Sequence, residues 1–282
     1  MSSGRSMPTK RASADDLRTA FNPPARGMLD RVIRRFGLAS HVAATLIVYA
    51  VAAAALALAL APALALLAFW IGRWPAAGIW RYLHMGLGIG TAFFAGGFAL
   101  LIVVPIFNWI LPTRVKPFHG SYYSIAAVPW LLHNALFYLV RFTFLPFVTL
   151  TPFGIVFLRA MGMRIGRRAF VNTELISDPR LIAVGDDVVI GGSAHLFAHY
   201  GGGGHLTIAP VRIGDRVTIG QKATIMGDVV VGDDAVVLPH SVLLPGSRVA
   251  PGETWGGVPA APVSEAEFER FKQGIRGGGA RR

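Results

Sequence analysis

The chain has 282 residues, of which 53% are hydrophobic and 15% charged, and its formal net charge is +12. No carboxylate occurs between Asp30 and Glu174, a gap of 143 positions that indicates a membrane region, because a carboxylate in hydrocarbon is costly. Cysteine is absent, which excludes disulfides, thiolate nucleophiles and cysteine-ligated metals. The basic residues flank apolar runs rather than forming one face, so contact with anionic lipid is a plainer interpretation than nucleic-acid binding.

Residues 1–41 are predicted to be a disordered tail followed by a basic amphipathic segment at the membrane surface. Residues 42–112 are predicted to form two transmembrane helices, Val42–Trp70 and Met85–Leu111, each long and apolar enough to span a bilayer. Pro62 is expected to kink the first helix, and the glycines of the second offer a small-residue face for close packing. The region is therefore predicted to form a transmembrane α-hairpin.

The distribution of basic residues predicts the orientation of this hairpin. Eight Lys or Arg residues precede the first span and seven follow the second, which predicts a multi-pass protein of the cell (inner) membrane with both termini in the cytosol. Residues 113–162 are expected to form membrane-interface helices, because the apolar segment Tyr122–Leu158 is interrupted by proline, histidine and arginine. Two further spans are the alternative, and they would leave the C-terminal region on the same side.

Residues 163–263 carry a six-residue repeat that is most regular from Ile213 to Thr254. An aliphatic residue returns at every sixth position: Ile213, Ile219, Ile225, Val231, Val237, Leu243 and Val249. Four places after the first six of these stand small or β-branched residues: Val217, Ala223, Val229, Ala235, Ser241 and Ser247. This period is neither that of a helix nor that of an ordinary strand. It predicts an all-β parallel β-helix, with the aliphatic residues inside and the small residues at the corners.

The repeat is interrupted once, after Leu196, where Phe197–His205 is predicted to leave the coil as a glycine-rich loop. Loops inserted into a solenoid usually carry its function, because the stacked coils are occupied with packing. His199 lies at the start of this loop, and histidine is the side chain whose ordinary pKa suits a general base near neutral pH. The competing interpretation is an ordinary surface histidine. Residues 264–282 are expected to contain a short amphipathic helix and a basic tail.

Three motifs support a resemblance to a known family. They are a histidine-loop insertion at His199, a restart at Ala209–Gly214 (APVRIG) and a close at Gly257–Ala260 (GVPA). The pattern resembles the left-handed parallel β-helix of the hexapeptide-repeat acyltransferases. It is nearest to the C-terminal domains of ε-poly-lysine-synthetase-type (Pls/PosA) nonribosomal peptide synthetases, where pairs of transmembrane helices alternate with such domains. The lead-in Leu158–Gly166 is also similar, and the resemblance covers about residues 85–263.

This resemblance implies that His199 is the general base of an acyl transfer. It implies that a groove lined by Ser193, Gln221, Pro239 and Gly257 takes the pantetheine arm of acetyl-CoA, another acyl-CoA or a phosphopantetheine carrier, with no metal. Lys222 or Arg248 would meet the phosphates, although a solvated solenoid face is the preferred interpretation of both. Related sequences often carry an asparagine in the hexad before the histidine. Ser193 or a backbone N–H must substitute for it here.

The resemblance further implies a homotrimer whose active sites lie between subunits, anchored in membrane lipid. Transfer of an aminoacyl group would need a separate carrier or adenylation protein. Two other classes of function remain open. One is a metal hydratase similar to the γ-type carbonic anhydrases, suggested by His195, His199 and His205, although their spacing does not match that family. The other is a non-catalytic membrane scaffold.

Overall fold

A computed structural model describes residues 27–75, 77–122, 124–264 and 266–270. The predicted tail at 1–26 and the basic end at 271–282 lie outside these residues. Two long helices open the described chain: α1 (Met28–Ile71, 44 residues) and α2 (Ile79–Ile110, 32 residues). Within them, Arg35–Ile71 and Ile79–Ile110 are long and apolar enough to cross a membrane, as judged by length and composition.

The two helices pack through small side chains, as the glycine content of the second helix predicts. A methyl group added at Gly96 would lie 3.2 Å from the Cβ of Ala63, and Ala59 is buried at the same contact. Small residues let the two backbones approach closely, which drives helix association where lipid supplies no hydrophobic force. The expected kink lies elsewhere, because the backbone of α1 leaves helical geometry at Gly37 (φ 28°, ψ −97°), whereas Pro62 lies inside the helix.

A strand and three short helices connect the long helices to the solenoid. Strand β1 (Phe118–Ser121) and a 3₁₀ turn (Ile125–Ala127) lead into α3 (Val128–Arg141), which is followed by α4 (Leu145–Val148) and α5 (Pro152–Ala160). With 14 residues, α3 is the longest of these helices and spans about 21 Å, which is less than the hydrocarbon thickness of a bilayer. The choice between interfacial helices and two further spans stays a prediction.

The remaining strands are short and follow one another around a coil. In chain order they are β2 (Arg164–Ile165), β3 (Phe170–Val171), β4 (Ile176–Ser177), β5 (Ile182–Val184), β6 (Val189–Ile190), β7 (His195–Phe197), β8 (His199–Gly202), β9 (His205–Ile208), β10 (Val211–Ile213), β11 (Thr218–Ile219), β12 (Thr224–Ile225), β13 (Val230–Val231), β14 (Val236–Val237), β15 (Val242–Leu243), β16 (Arg248–Val249), β17 (Thr254–Gly257) and β18 (Ala260–Pro262). Apart from the β8–β9 hairpin, they form the three faces of the predicted solenoid.

Each face is one β-sheet, and we number the three sheets I, II and III. All their strands are parallel except the last strand of sheet II. Sheet I contains β2, β5, β10, β13 and β16, and sheet III contains β4, β7, β12 and β15. Sheet II contains β3, β6, β11, β14 and β17, with β18 added antiparallel to β17. Arg212 pairs with Val230 and Val230 pairs with Arg248, so one full coil takes 18 residues, or three hexads. We call the turn from sheet I to II the first corner, from II to III the second corner, and from III to I the third corner.

The interior matches the sequence prediction at all but one of the predicted positions. All seven aliphatic residues of the repeat are at most 4% exposed. Five of the six predicted corner residues are fully buried, the exception being Ser247: Val217, Ala223, Val229, Ala235 and Ser241. One hydrophobic core runs without a break from Ala55 of α1 to Val249 of the last full coil. The helical region and the solenoid are therefore packed as one body.

The segment predicted to be a glycine-rich loop is instead a β-hairpin. Strands β8 and β9 pair antiparallel, and β1 pairs antiparallel with β9, so that Phe118 lies opposite Ile208. Four consecutive glycines at 201–204 favoured a loop on local propensity. The distant strand β1 overrides that preference, because it supplies β9 with a second hydrogen-bonding partner. The hairpin that begins at His199 is thereby attached to the segment that follows α2.

Candidate active site

His199 and Asp178 occupy the third corner of successive coils. Ser177 pairs with Phe197 between β4 and β7, so the residues that follow each strand are brought together at this corner. Asp178 adopts a left-handed conformation (φ 58°), which aspartate tolerates better than most residues, and it begins a 3₁₀ turn at Pro179–Leu181. The two side chains therefore face each other although 21 residues separate them in sequence.

The two side chains form a hydrogen-bonded acid–base pair. His199 Nδ1 lies 2.5 Å from Asp178 Oδ2, and the Asp178 side chain is completely buried whereas that of His199 is 24% exposed. A carboxylate can only accept, so Nδ1 carries the proton of this hydrogen bond, and in the neutral imidazole the lone pair then lies on the second ring nitrogen, Nε2. A buried carboxylate that orients a partly exposed imidazole is the arrangement of a general base.

A third polar side chain completes the environment of the carboxylate. Asn134 Nδ2, on α3, donates to Asp178 Oδ1 at 2.9 Å and to the backbone oxygen of Trp130 at 3.0 Å. Both neighbours are acceptors, which fixes the orientation of the amide. Each carboxylate oxygen therefore has its own donor, as burial of a charged group requires.

Helix α3 runs along strand β4 and presents further polar residues to it. Tyr138 Oη lies 3.1 Å from Ser177 Oγ, and Arg141 Nη1 donates to the same hydroxyl at 3.2 Å. On another side of the helix, His133 Nδ1 lies 2.7 Å from Asn108 Oδ1 of α2. Burial lowers the pKa of His133 to about 4, so this histidine is neutral near pH 7. Polar contacts thus run from the end of α2 through α3 to the third corner.

Aromatic side chains surround the exposed part of His199. The ring of Trp130 meets it edge-on with centroids 5.2 Å apart, and Phe197 lies at 5.7 Å. These rings limit the access of water to one side of the imidazole. Limited access strengthens electrostatic interactions of the base with a reacting group.

The predicted groove residues lie together, but not beside His199. Ser193, Gln221, Lys222 and Pro239 fall at the second corner of successive coils, because His195, Thr224 and Val242 pair directly after them. Gly257 N donates to Ser241 Oγ at 3.2 Å and so belongs to the same edge. Sheet III separates this edge from the third corner. Within one chain, the structure assembles the predicted groove and the predicted base at different corners.

The two candidate phosphate ligands differ. Arg248 Nη2 pairs with Asp228 Oδ1 at 2.7 Å, so its charge is already partnered on the solenoid surface, as the preferred interpretation expected. Lys222 is exposed and takes a left-handed backbone (φ 57°) at the second corner. Exposure fits the preferred interpretation of a solvated face, and a phosphate contact of Lys222 stays a prediction.

The three histidines considered for a metal do not meet. His195 lies on the outer surface of sheet III, and the imidazole of His205 stacks on His119, with ring centroids 5.6 Å apart. Across the described ranges, no group of three or more His, Asp or Glu side chains is arranged to hold a metal ion.

Sequence reasoning did not find Asp178 or Asn134. A signal for Asp178 existed, because an acidic residue directly after β4 occupies the same corner, one coil earlier, as the histidine after β7. No local signal pointed to Asn134, since 44 residues separate it from Asp178 and the contact depends on how α3 packs against β4.

Comparison with known families and structures is consistent with this architecture. Residues 210–245 match the family model described as bacterial transferase hexapeptide (six repeats), and no curated protein sequence matches the chain. The match, together with the 18-residue coil, defines the solenoid as the hexapeptide-repeat type found in bacterial transferases, a left-handed parallel β-helix.

Solved structures with similarity to the chain include several acetyltransferases. One is a hexapeptide-repeat acetyltransferase from Vibrio cholerae O1 biovar eltor complexed with acetyl coenzyme A: 28% identity, 36% of this chain, 60% of that chain and a TM-score of 0.34. Another is a galactoside acetyltransferase in complex with coenzyme A, which is 20% identical over 43% of this chain and 76% of that chain, with a TM-score of 0.36. A maltose O-acetyltransferase from Clostridium difficile 630 is 16% identical over 54% of this chain and 94% of that chain, with a TM-score of 0.39. These TM-scores are low, and the case for function therefore rests on the residues.

Proposed function

We propose that the protein is a membrane-anchored acyltransferase that moves an acyl group from a thioester to a hydroxyl or amine acceptor. The observation that carries this proposal is the buried Asp178 carboxylate, hydrogen-bonded to a partly exposed His199 at the one corner where the repeat of a transferase-type solenoid is interrupted. A pair with no catalytic task would have little reason to keep a fully buried carboxylate, because burying the charge is costly.

In the proposed reaction, Nε2 of His199 accepts the proton of the acceptor hydroxyl or amine. The acceptor oxygen or nitrogen attacks the thioester carbonyl, the carbon–sulfur bond breaks, and the leaving thiolate takes the proton back from the imidazolium. Asp178 holds the reactive tautomer and stabilises the imidazolium that forms transiently. Ser193 or a backbone N–H is the proposed donor to the oxyanion.

The proposed donor is acetyl-CoA, another acyl-CoA or a phosphopantetheine carrier. Its arm would lie along the second corner, past Gln221, Pro239 and Gly257, with Lys222 near the phosphates. Because His199 lies at the third corner, a homotrimer would join the base of one copy to the groove of the next. An aminoacyl thioester is a variant of the same chemistry that would need a separate carrier or adenylation protein.

Two observations support the membrane anchor. The long helices expose large apolar side chains along their length, for example Ile47 at 64% and Ile102 at 63%, which is costly in water. Their residues also fall in the long stretch without a carboxylate. Anchoring in the cell membrane, with both termini in the cytosol, would place the third corner close to the lipid surface.

The test is thioester turnover by protein purified in mild detergent, with acyl-CoA as donor. His199→Ala is expected to reduce turnover by a factor on the order of 10² to 10⁴ while leaving the melting temperature nearly unchanged. His84→Ala, on α2, is the matched control and is expected to keep full activity. Full activity of His199→Ala would refute the mechanism. If the wild type turned over neither acyl-CoA nor a carrier-bound acyl donor, the scaffold interpretation would be favoured.

A further inference from the structure

A cavity of about 350 Å³ lies beside the third corner, between the first part of α1 and the start of α3. Its volume falls within the range of small-molecule sites. The walls are mostly apolar, with a few polar groups: Ile33, Ser40, His41, Ala44, Tyr122, Ser124, Ala127, Val128, Trp130 and Leu131. A largely apolar cavity with a few polar groups is suited to a ligand that has an apolar chain and a polar end.

Two wall residues of this cavity also touch the hairpin that carries His199. Trp130 contacts the imidazole edge-on, with 5.2 Å between ring centroids. The Tyr122 hydroxyl packs directly against Gly201 of β8, where an added methyl group would lie only 1.8 Å away. The cavity and the acid–base pair therefore share a wall, and a ligand that extends past this wall reaches the reactive nitrogen.

The wall residue Trp130 has one polar atom without a hydrogen-bond partner. Among the described residues, Trp130 Nε1 is a buried donor with no hydrogen-bond acceptor. An unpaired buried N–H is unfavourable, and an oxygen atom of a bound ligand would satisfy it. This donor favours a ligand whose polar end carries oxygen.

The lack of acidic side chains in the cavity wall also bears on which polar group the ligand carries. Every wall residue lies in the stretch from 31 to 173, which contains no carboxylate, so the cavity has no acidic side chain to bind an ammonium ion. Asp178 is fully occupied by His199 and Asn134. A hydroxyl group avoids the desolvation that a cationic amine would suffer without a counter-charge.

In the proposed membrane anchor, the cavity wall formed by α1 would be open to the lipid phase. This wall belongs to α1, whose residues from Arg35 to Ile71 are long and apolar enough to cross a membrane. Ser40 and His41 directly precede its uncharged apolar run, at the depth where a lipid carries its polar end.

We propose that this cavity binds the apolar chain of a hydroxyl-bearing lipid, and that this lipid is the acyl acceptor. The inference rests on the proposed acyltransferase function. The chain lies between α1 and α3, and the hydroxyl passes Trp130 to reach Nε2 of His199. The hydroxyl proton moves to Nε2 as the oxygen bonds to the acyl carbon, the carbon–sulfur bond breaks, and the leaving thiolate takes the proton from the imidazolium, so the products are an ester and a thiol. The donor approaches from the solenoid edge on the other side.

The first experiment measures binding without any turnover. Protein in lipid nanodiscs is irradiated with dodecanol that carries a diazirine at mid-chain, and labelled peptides are identified by mass spectrometry. Labelling is expected in peptides that contain residues 33–44 and 124–131, and unlabelled dodecanol is expected to compete for it more strongly than dodecylamine. Ala44→Trp, which fills the cavity, is expected to lower this labelling at least about five-fold. Ala54→Trp, at an exposed position further along α1, is the matched control.

The second experiment measures ester formation with dodecanol and with 1-propanol. Ala44→Trp is expected to lower the dodecanol-to-propanol ratio of kcat/KM at least about ten-fold, because the chain loses its apolar contacts, whereas Ala54→Trp is expected to leave this ratio unchanged. An unchanged ratio, or labelling that spreads over all lipid-exposed helices and is not competed, would overturn the proposal. Saturable labelling of the cavity with no turnover of any acceptor would instead overturn the proposed acyltransferase function.

Discussion

The first and third corners of the solenoid each carry a pair of a basic and an acidic side chain, but the two pairs differ in burial. At the first corner, Arg216 pairs with Asp234 one coil later, with side chains 53% and 55% exposed and Nε and Oδ1 2.7 Å apart. At the third corner, His199 pairs with Asp178 one coil earlier, and the carboxylate is fully buried. An exposed pair is screened by water and contributes little, whereas a buried pair depends on every hydrogen bond around it. The comparison shows that burial, and not pairing, distinguishes the candidate site.

The burial at the third corner comes from outside the repeat. Helix α3 covers Asp178 through Asn134, and the β8–β9 hairpin replaces the tight turn found at the other corners. At the first corner no such element intervenes, and backbone hydrogen bonds such as Asp234 N to Asp215 O continue from coil to coil. An interrupted repeat and an added helix together convert an ordinary corner into a candidate active site.

Among substitutions that test the difference between the two corners, Asp178→Asn is expected to have the largest effect, a loss of acyl-transfer activity. Both partners of Asp178, His199 and Asn134, are donors, so an amide at this position must turn its own NH₂ toward one of them. Either the imidazole takes the wrong tautomer or the helix contact is lost. We expect acyl transfer to fall by a factor on the order of 10³, measured as kcat with acyl-CoA.

Asp187→Asn provides the matched control for this substitution. Asp187 has the same backbone φ of 58°, and it pairs with Arg168 at the first corner, where the Arg168 guanidinium lowers the pKa of the carboxyl below its ordinary value. This variant is expected to keep at least half of the wild-type activity, since exposed pairs carry little energy. Equal losses in the two variants would mean that burial at the third corner has no catalytic role.

The next largest effect is expected on thermal stability, when a larger side chain is placed in the interior of the first corner. Ala235 is fully buried at the first corner, where its side chain is packed inside the solenoid. Ala235→Leu is expected to destabilise the protein by about 1–3 kcal/mol through overpacking, seen as a lower midpoint of thermal unfolding in detergent. The neighbouring Val236 points outward, and Val236→Leu is expected to change stability by no more than about 0.5 kcal/mol. Tolerance of the leucine at 235 would show that the corner is less closely packed than its burial indicates.

The two corners also differ in how far the sequence predicts them. The hexad period is a local signal, and it predicted the buried positions of the regular coils because every coil repeats the same environment. His199 was also predictable, since it lies where the period stops. The signal for Asp178 was weaker, because Ile176 and Leu196 are 20 residues apart in register instead of 18. The Pro179–Leu181 turn makes that coil longer and hides the correspondence.

Contacts between the helical region and the solenoid were beyond the reach of the sequence. Asn134 and Tyr138 interrupt an apolar segment one helical turn apart, which predicts a shared polar stripe but not the strand that it meets. The hairpin at His199 likewise depends on β1, which lies about 80 residues earlier in the chain. Packing between distant segments decides such features, and a single sequence carries no direct signal for them.

The smallest expected effect is the loss of the exposed pair at the first corner by Arg216→Ala. The hydrogen bonds and charge of Arg216 lower the pKa of Asp234 below its ordinary value of 3.8, so the pair stabilises the folded state above that pH and is lost as pH falls through the lowered pKa. We expect a melting temperature within about 2 °C of wild type near pH 7, and a smaller difference near pH 3. A large shift at neutral pH that persists in high salt would mean that the first corner, too, depends on its ion pairs, and that exposure does not separate the two corners.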